Sequence, residues 1–114
     1  MKKIALVAVA LTFSASALAA GNVEAGKVAA TKFNCASCHG ATYNEPIDPS
    51  YPKLAGQHKD YLMQALKSYQ RGAVGTSGRS NAIMEAQAKA LSNADIENIA
   101  AYLHSLPSSL VLKK

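Results

Sequence analysis

The sequence predicts an all-α chain, and three observations carry that prediction. Residues 59–71 and 96–106 place apolar side chains three and four apart, the period of one helix face. Helix-start residues (Asn22, Ser92) and helix-stop residues (Gly72, Pro107) bracket such segments. No segment alternates polar and β-branched residues as a strand would, and no internal repeat is visible. The 114 residues suffice for one domain and are too few for two well-packed ones.

The first twenty residues read as an export signal rather than as part of the fold. Lys2 and Lys3 precede an apolar stretch from Ile4 to Phe13, and Ser14-Ala15-Ser16-Ala17-Leu18-Ala19 supplies a small-residue, Ala-x-Ala end. Cleavage is expected after Ala19 or Ala20, with residues 1–20 a signal peptide and residues 21–114 a single domain in an oxidising space outside the cytoplasmic membrane, the periplasm. The competing reading is a retained anchor. Its 17 residues from Ile4 to Ala20 are at the short end of a bilayer span, and the Ser-rich second half favours cleavage.

Asn22 is placed to cap a helix over residues 23–34, with Glu24 favourable in its first turn. From Gly40 to Gly56 the composition turns to Tyr, Asn, Pro, Asp and Gly. Pro46, Pro49 and Pro52 each remove a backbone donor and disfavour helix before them, so this stretch is expected to be loop. A second helix over residues 59–71 carries Leu62, Ala65, Leu66 and Tyr69 on one face and stops at Gly72. Gly72, Gly75, Thr76, Ser77 and Gly78 form a connector, and residues 81–90 allow a short Ala-rich helix. Ser92 with Asp95 three residues on resembles a capping box, and the stripe Ile96, Ile99, Ala100, Leu103 and Leu106 follows until Pro107.

Composition narrows the function. Lys and Arg number 12 against 7 Asp and Glu; without Lys2 and Lys3 the balance is ten against seven, a net of +3 spread along the chain, short of the basic stripe of a nucleic-acid binder. Two cysteines three residues apart do not make a disulfide scaffold. Beyond residue 20 there is no Trp, Phe33 is the one Phe, and many apolar residues are Ala, so the core is undersized for the entropy that folding must overcome. A planar apolar cofactor burying several hundred Å² would contribute about 10 kcal/mol at roughly 25 cal/mol per Å².

Cys35-Ala36-Ser37-Cys38-His39 supplies the means to hold one. CxxC followed directly by His is the attachment signature of a c-type haem. Two thiols one helical turn apart reach the two vinyl groups of the porphyrin as thioethers, and the adjacent imidazole is then aimed at iron. A zinc site needs four ligands, and no second CxxC or HxxxH is present. A thioredoxin-type redox pair needs a βαβ setting that this helical pattern lacks.

At these residues the chain resembles the class I cytochromes c, in particular the small bacterial periplasmic single-haem carriers and each half of their two-haem relatives. The resemblance rests on GKVAATKFNCASCHG, YPKLAGQHKDYLMQALKSYQRG and RSNAIMEAQAKALSNADIENIAAYLHSL, in that order, and covers nearly all of residues 21–114; the insert from Gly72 to Gly78 is less family-like. It implies a small class I fold, about four helices wrapped around one covalently attached haem, with Cys35 and Cys38 as thioether positions and His39 as an axial iron ligand.

Candidates for the ligand opposite His39 are Met63, Met84, His58 and His104. Met63 sits at the edge of an apolar helix stripe, an ordinary core position for a thioether. Met84 lies 45 residues beyond His39, after the connector and before the last helix, and the family's axial methionine falls in the segment matching Asn81-Ala82-Ile83-Met84. Met84 is therefore the expected metal ligand. His104 is expected to be a solvated residue near a helix C-terminus, and His58 a surface residue opening the second helix.

A metal-binding imidazole normally donates its other N–H to a carbonyl. The resemblance assigns that carbonyl to Pro52. Tyr51, Gln57, Tyr69, Arg71 and Arg79 are candidate neighbours of the haem propionates, unranked by sequence. The resemblance also implies that the first and last helices cross at Gly26, nine residues before Cys35, against Tyr102.

With His and Met both bound, iron has no open position, which favours electron transfer over bond-making chemistry. The expected function is a soluble periplasmic electron carrier, not an enzyme, making small transient contacts with donor and acceptor proteins, with no nucleic acid, no small-molecule substrate and membrane contact only through partner complexes. Two ionised propionates would lower the net charge to about +1, so electrostatic steering should be weak. Two alternatives remain at this stage. One is a haem subunit of a larger membrane or dehydrogenase complex, and the other a haem protein with an open sixth site, gas-sensing or peroxidase-like.

Overall fold

The computed structural model describes residues 3–10, 21–73 and 75–110. The expected cleavage site at Ala19 or Ala20 and the terminal Lys113 and Lys114 lie outside the described residues. Residues 3–10 carry no regular secondary structure, and among the described residues no helix is long and apolar enough to cross a membrane.

Five helices follow: α1 (Val23–Lys32), α2 (Ala36–His39), α3 (Lys59–Arg71), α4 (Ala82–Lys89) and α5 (Asn93–Ser105), with no strand among the described residues. α1 starts where expected, the Asn22 side chain accepting from the Ala25 N–H at 2.9 Å. It ends two residues earlier than the sequence suggested, because Asn34 takes a left-handed conformation at φ 55°. The Cys35 N–H reaches back to the Ala30 carbonyl (3.1 Å) and the Asn34 N–H to that of Thr31 (3.1 Å), a Schellman stop that satisfies two otherwise orphaned acceptors. α2 then begins as a separate four-residue turn within the Cys35–His39 motif, an element that the sequence pattern does not assign.

α1 packs on α5, and α3 packs on both α5 and α4. The α1–α5 crossing is close: a Cβ at Gly26 would run into the backbone carbonyl of Asn98 and come within 2.7 Å of the Tyr102 Cβ. The Asn22 N–H adds a bond to the Asn98 side chain at 2.9 Å. Tyr102 stacks edge-on against the buried Tyr43, their ring centroids 6.0 Å apart. The expected crossing at Gly26 and Tyr102 is therefore present.

The core is as lean as composition implied. Ala29, Ala30, Tyr43, Ala55, Leu62, Ile99, Ala100 and Leu103 form its centre, four of the eight being alanine. On α5 the expected stripe is buried at Ile96, Ile99, Ala100 and Leu103, and Leu106 packs against the core from the helix end. The capping box of Ser92 and Asp95 is complete in both directions, at 3.0 and 2.9 Å.

Candidate functional site

The loop between α2 and α3 positions the site. Gly40 closes α2 at φ 91°, where an added Cβ would collide with the Glu45 carbonyl. Tyr43, itself left-handed at φ 59°, turns its carbonyl to accept from both Leu54 (2.9 Å) and Ala55 (3.1 Å). Asp48 accepts from the Ser50 hydroxyl and N–H, which hold its carboxyl below the usual range and fix the turn before Tyr51. These bonds carry the chain back so that the Pro52 carbonyl meets His39 Nδ1 at 2.9 Å.

That contact defines the imidazole. A carbonyl can only accept, so Nδ1 carries the proton and Nε2 is left with its lone pair, the form a metal requires. His39 is 6 % exposed, and the Tyr51 ring lies 6.3 Å from it at a tilt of 46°. Cys35 and Cys38 are partly buried and not joined to each other. Burial, then proximity to Cys38, pushes the Cys35 thiol up, against a lowering backbone hydrogen bond.

A cavity of about 460 Å³ gathers these residues, within the range of about 300–1,000 Å³ typical of cofactor sites. Cys35, Cys38 and His39 line it from one side of the fold's connectivity, Met84 from α4, and Pro52 and Leu54 from the loop. Leu62, Ala65, Leu66 and Tyr69, the one-face stripe read from sequence on the second helix, all line this cavity; so do Phe33, Leu91, Ile99 and Leu103. A largely apolar cradle carrying two thiols, one imidazole in metal-binding form and one thioether has the donor set and lining that fit a thioether-linked iron porphyrin.

The other sixth-ligand candidates are elsewhere. Met63 packs against the core cluster and does not line the cavity. His58 is the exposed N-cap residue of α3, without a side-chain capping bond. His104 is exposed but not merely solvated: its Nδ1 donates to the Gln57 carbonyl at 2.7 Å, tying the end of α5 to the approach to α3. Met84 is on the first turn of α4, where the Asn81 side chain accepts from the N–H groups of Ile83 (3.1 Å) and Met84 (3.0 Å).

Sequence reasoning missed what seats α4. Gln70 on α3 donates from Nε2 to the carbonyls of Ala88 (2.9 Å) and Leu91 (3.0 Å) at the end of that helix. A single polar side chain beside an apolar stripe gives no signal of such a role. Among the five residues named for the propionates, Tyr51, Gln57, Tyr69 and Arg79 line the cavity, whereas Arg71 turns away to the Ser77 carbonyl (2.9 Å) and the Ser68 hydroxyl (3.1 Å).

Comparison with known proteins agrees with this geometry. The model of the cytochrome c family matches residues 23–107. Cytochrome c4 of Stutzerimonas stutzeri is 38 % identical over 118 aligned positions, covering 96 % of this chain and 53 % of that protein. A thiosulfate dehydrogenase electron acceptor of Stutzerimonas stutzeri (strain A1501) is 36 % identical over 65 % of this chain and 32 % of its own length. The crystal structure of reduced recombinant cytochrome c4 from Pseudomonas stutzeri superposes with a TM-score of 0.67 at 35 % identity, over 78 % of this chain and 47 % of that one. This chain thus spans about half the length of the cytochrome c4 proteins it matches.

Proposed function

The chain belongs to the cytochrome c family, with its class I fold and covalently attached haem c, and from that membership we propose that it is a periplasmic one-electron carrier whose haem is held by Cys35, Cys38, His39 and Met84. Cys35 and Cys38 would hold the haem through thioether bonds, and His39 and Met84 would bind its iron. The observation that carries the reading is that one cavity collects these four residues and leaves out Met63, His58 and His104. When bound, the haem iron supplies a one-electron couple.

The protein's own groups define how that couple is used. The Pro52 carbonyl accepts from the His39 N–H and so orients the ring. Met84, presented by the capped first turn of α4 and seated through Gln70, would supply the second protein ligand to the iron. A thioether ligand and the apolar lining from α3 and α5 would both favour the less charged ferrous state. With His39 and Met84 both bound to it, the iron would keep no open position for a substrate, and one-electron exchange is the chemistry it would supply. A lean, mixed-charge surface suits brief contact with donor and acceptor proteins. The name of one relative, thiosulfate dehydrogenase electron acceptor, supports this class of partner. Export rests on the leader-like pattern of residues 1–20.

Visible spectra of the oxidised and reduced protein, with and without carbon monoxide, test the proposal. The reduced spectrum should be unchanged by carbon monoxide. A carbon monoxide adduct forming at neutral pH would show an open sixth position and return the gas-binding or peroxidase-like reading.

A further inference from the structure

Met84 rides on a helix with little hydrophobic hold. α4 has eight residues, of which Ala88 alone is buried, and its main helix packing is against α3. A helix shorter than about 12–15 residues is marginal by itself in water, so tertiary contacts must set where this one lies. A connector carrying Gly72, Gly75 and Gly78 leads into it.

Polar bonds from the last turns of α3 supply the missing hold. Arg71 Nη2 donates to the Ser77 carbonyl at 2.9 Å, and the Arg79 N–H donates to the Ser68 carbonyl at 3.0 Å; both fasten the connector. Gln70 reaches α4 itself. Its amide nitrogen has two N–H donors, directed at the Ala88 carbonyl (2.9 Å) and at the Leu91 carbonyl (3.0 Å) in the link to α5. Ala88 is one helical turn beyond Met84 on the same face of α4, and both line the cavity. Gln70 does not line it, so any effect on the iron must pass through α4. The packing of α1 and α3 on α5 does not involve α4. We propose that Gln70 is the positioning residue for Met84: by holding the Ala88–Leu91 end of α4 it keeps the thioether sulfur on the iron, and without its two donors α4 shifts and frees the sixth position while the rest of the fold stands. This rests on the reading of Met84 as an iron ligand.

The test titrates ferric holoprotein with imidazole, which binds iron only when the sulfur is off, so its apparent affinity reads the open fraction. Gln70→Leu keeps apolar bulk and donates nothing, and Gln70→Asn keeps the amide but falls one methylene short. Each should bind imidazole roughly ten-fold more tightly than the parent, for the loss of two hydrogen bonds, with a weakened iron–sulfur charge-transfer band. Met63→Ala, which removes core packing away from the cavity, should match the parent in both readings. The Asn variant decides the question alone if the Leu variant does not accumulate. Parent-like imidazole affinity in the Gln70 variants, or an equal gain in Met63→Ala, overturns the proposal. Failure of the Met84 reading shows separately, because Met84→Ala would then bind imidazole no more tightly than the parent.

Discussion

Two methionines of equal chemistry, Met63 and Met84, differ in what surrounds them. Met63 fills the core beside α3, while Met84 lines the cavity from a capped helical turn. Met84→Ala should therefore abolish the iron–sulfur charge-transfer band while haem stays attached. Met63→Ala should keep the band and cost about 1–3 kcal/mol of stability in a thermal melt. Loss of the band in the Met63 variant alone would reverse the assignment. The sequence made Cys35, Cys38 and His39 legible because their spacing is dictated by bond-making geometry. The expectation for Pro52 comes from the order of family segments, and that for Met84 from that order together with its place between the connector and the last helix. Arg79 and Arg71 could not be told apart, since what separates them is the direction of a side chain: toward the faces of Tyr61 and Tyr69 in one case, and toward the Ser77 carbonyl in the other.

Helices announced themselves by period and cap. The stripes of α3 and α5 and the Ser92–Asp95 box follow from local rules and appear as read. α2 did not, because four residues show no period, and its start is set by the left-handed Asn34 rather than by hydrophobic pattern. The stripe of α3 is legible as an apolar face, but periodicity does not say what covers it: Leu62 sits in the core cluster and lines the cavity as well. At the α1–α5 crossing the backbones meet at Gly26, with no room for a side chain. Gly26→Val should lower the thermal midpoint, costing about 3 kcal/mol or more through forced separation of the helices, with the visible spectrum of the surviving folded protein unchanged. A melt identical to the parent's would mean that the helices are not held at this distance.

At the scale of the whole molecule, a core built half from alanine closes around one apolar cavity rather than around itself. Helices α3, α4 and α5 and the loop after α2 each put side chains into it, so a cofactor held there would touch every one of these elements. This accounts for how a chain with no Trp and a single Phe beyond residue 20 can order its irregular middle. Every role assigned above depends on that tether. The most direct measurement takes protein purified from cells competent to mature c-type haem, denatures it, and extracts it with acidified organic solvent. The colour should remain with the polypeptide, through the Cys35 and Cys38 sulfurs. Colour that passes into the solvent, or protein that never carried any, would contradict the account.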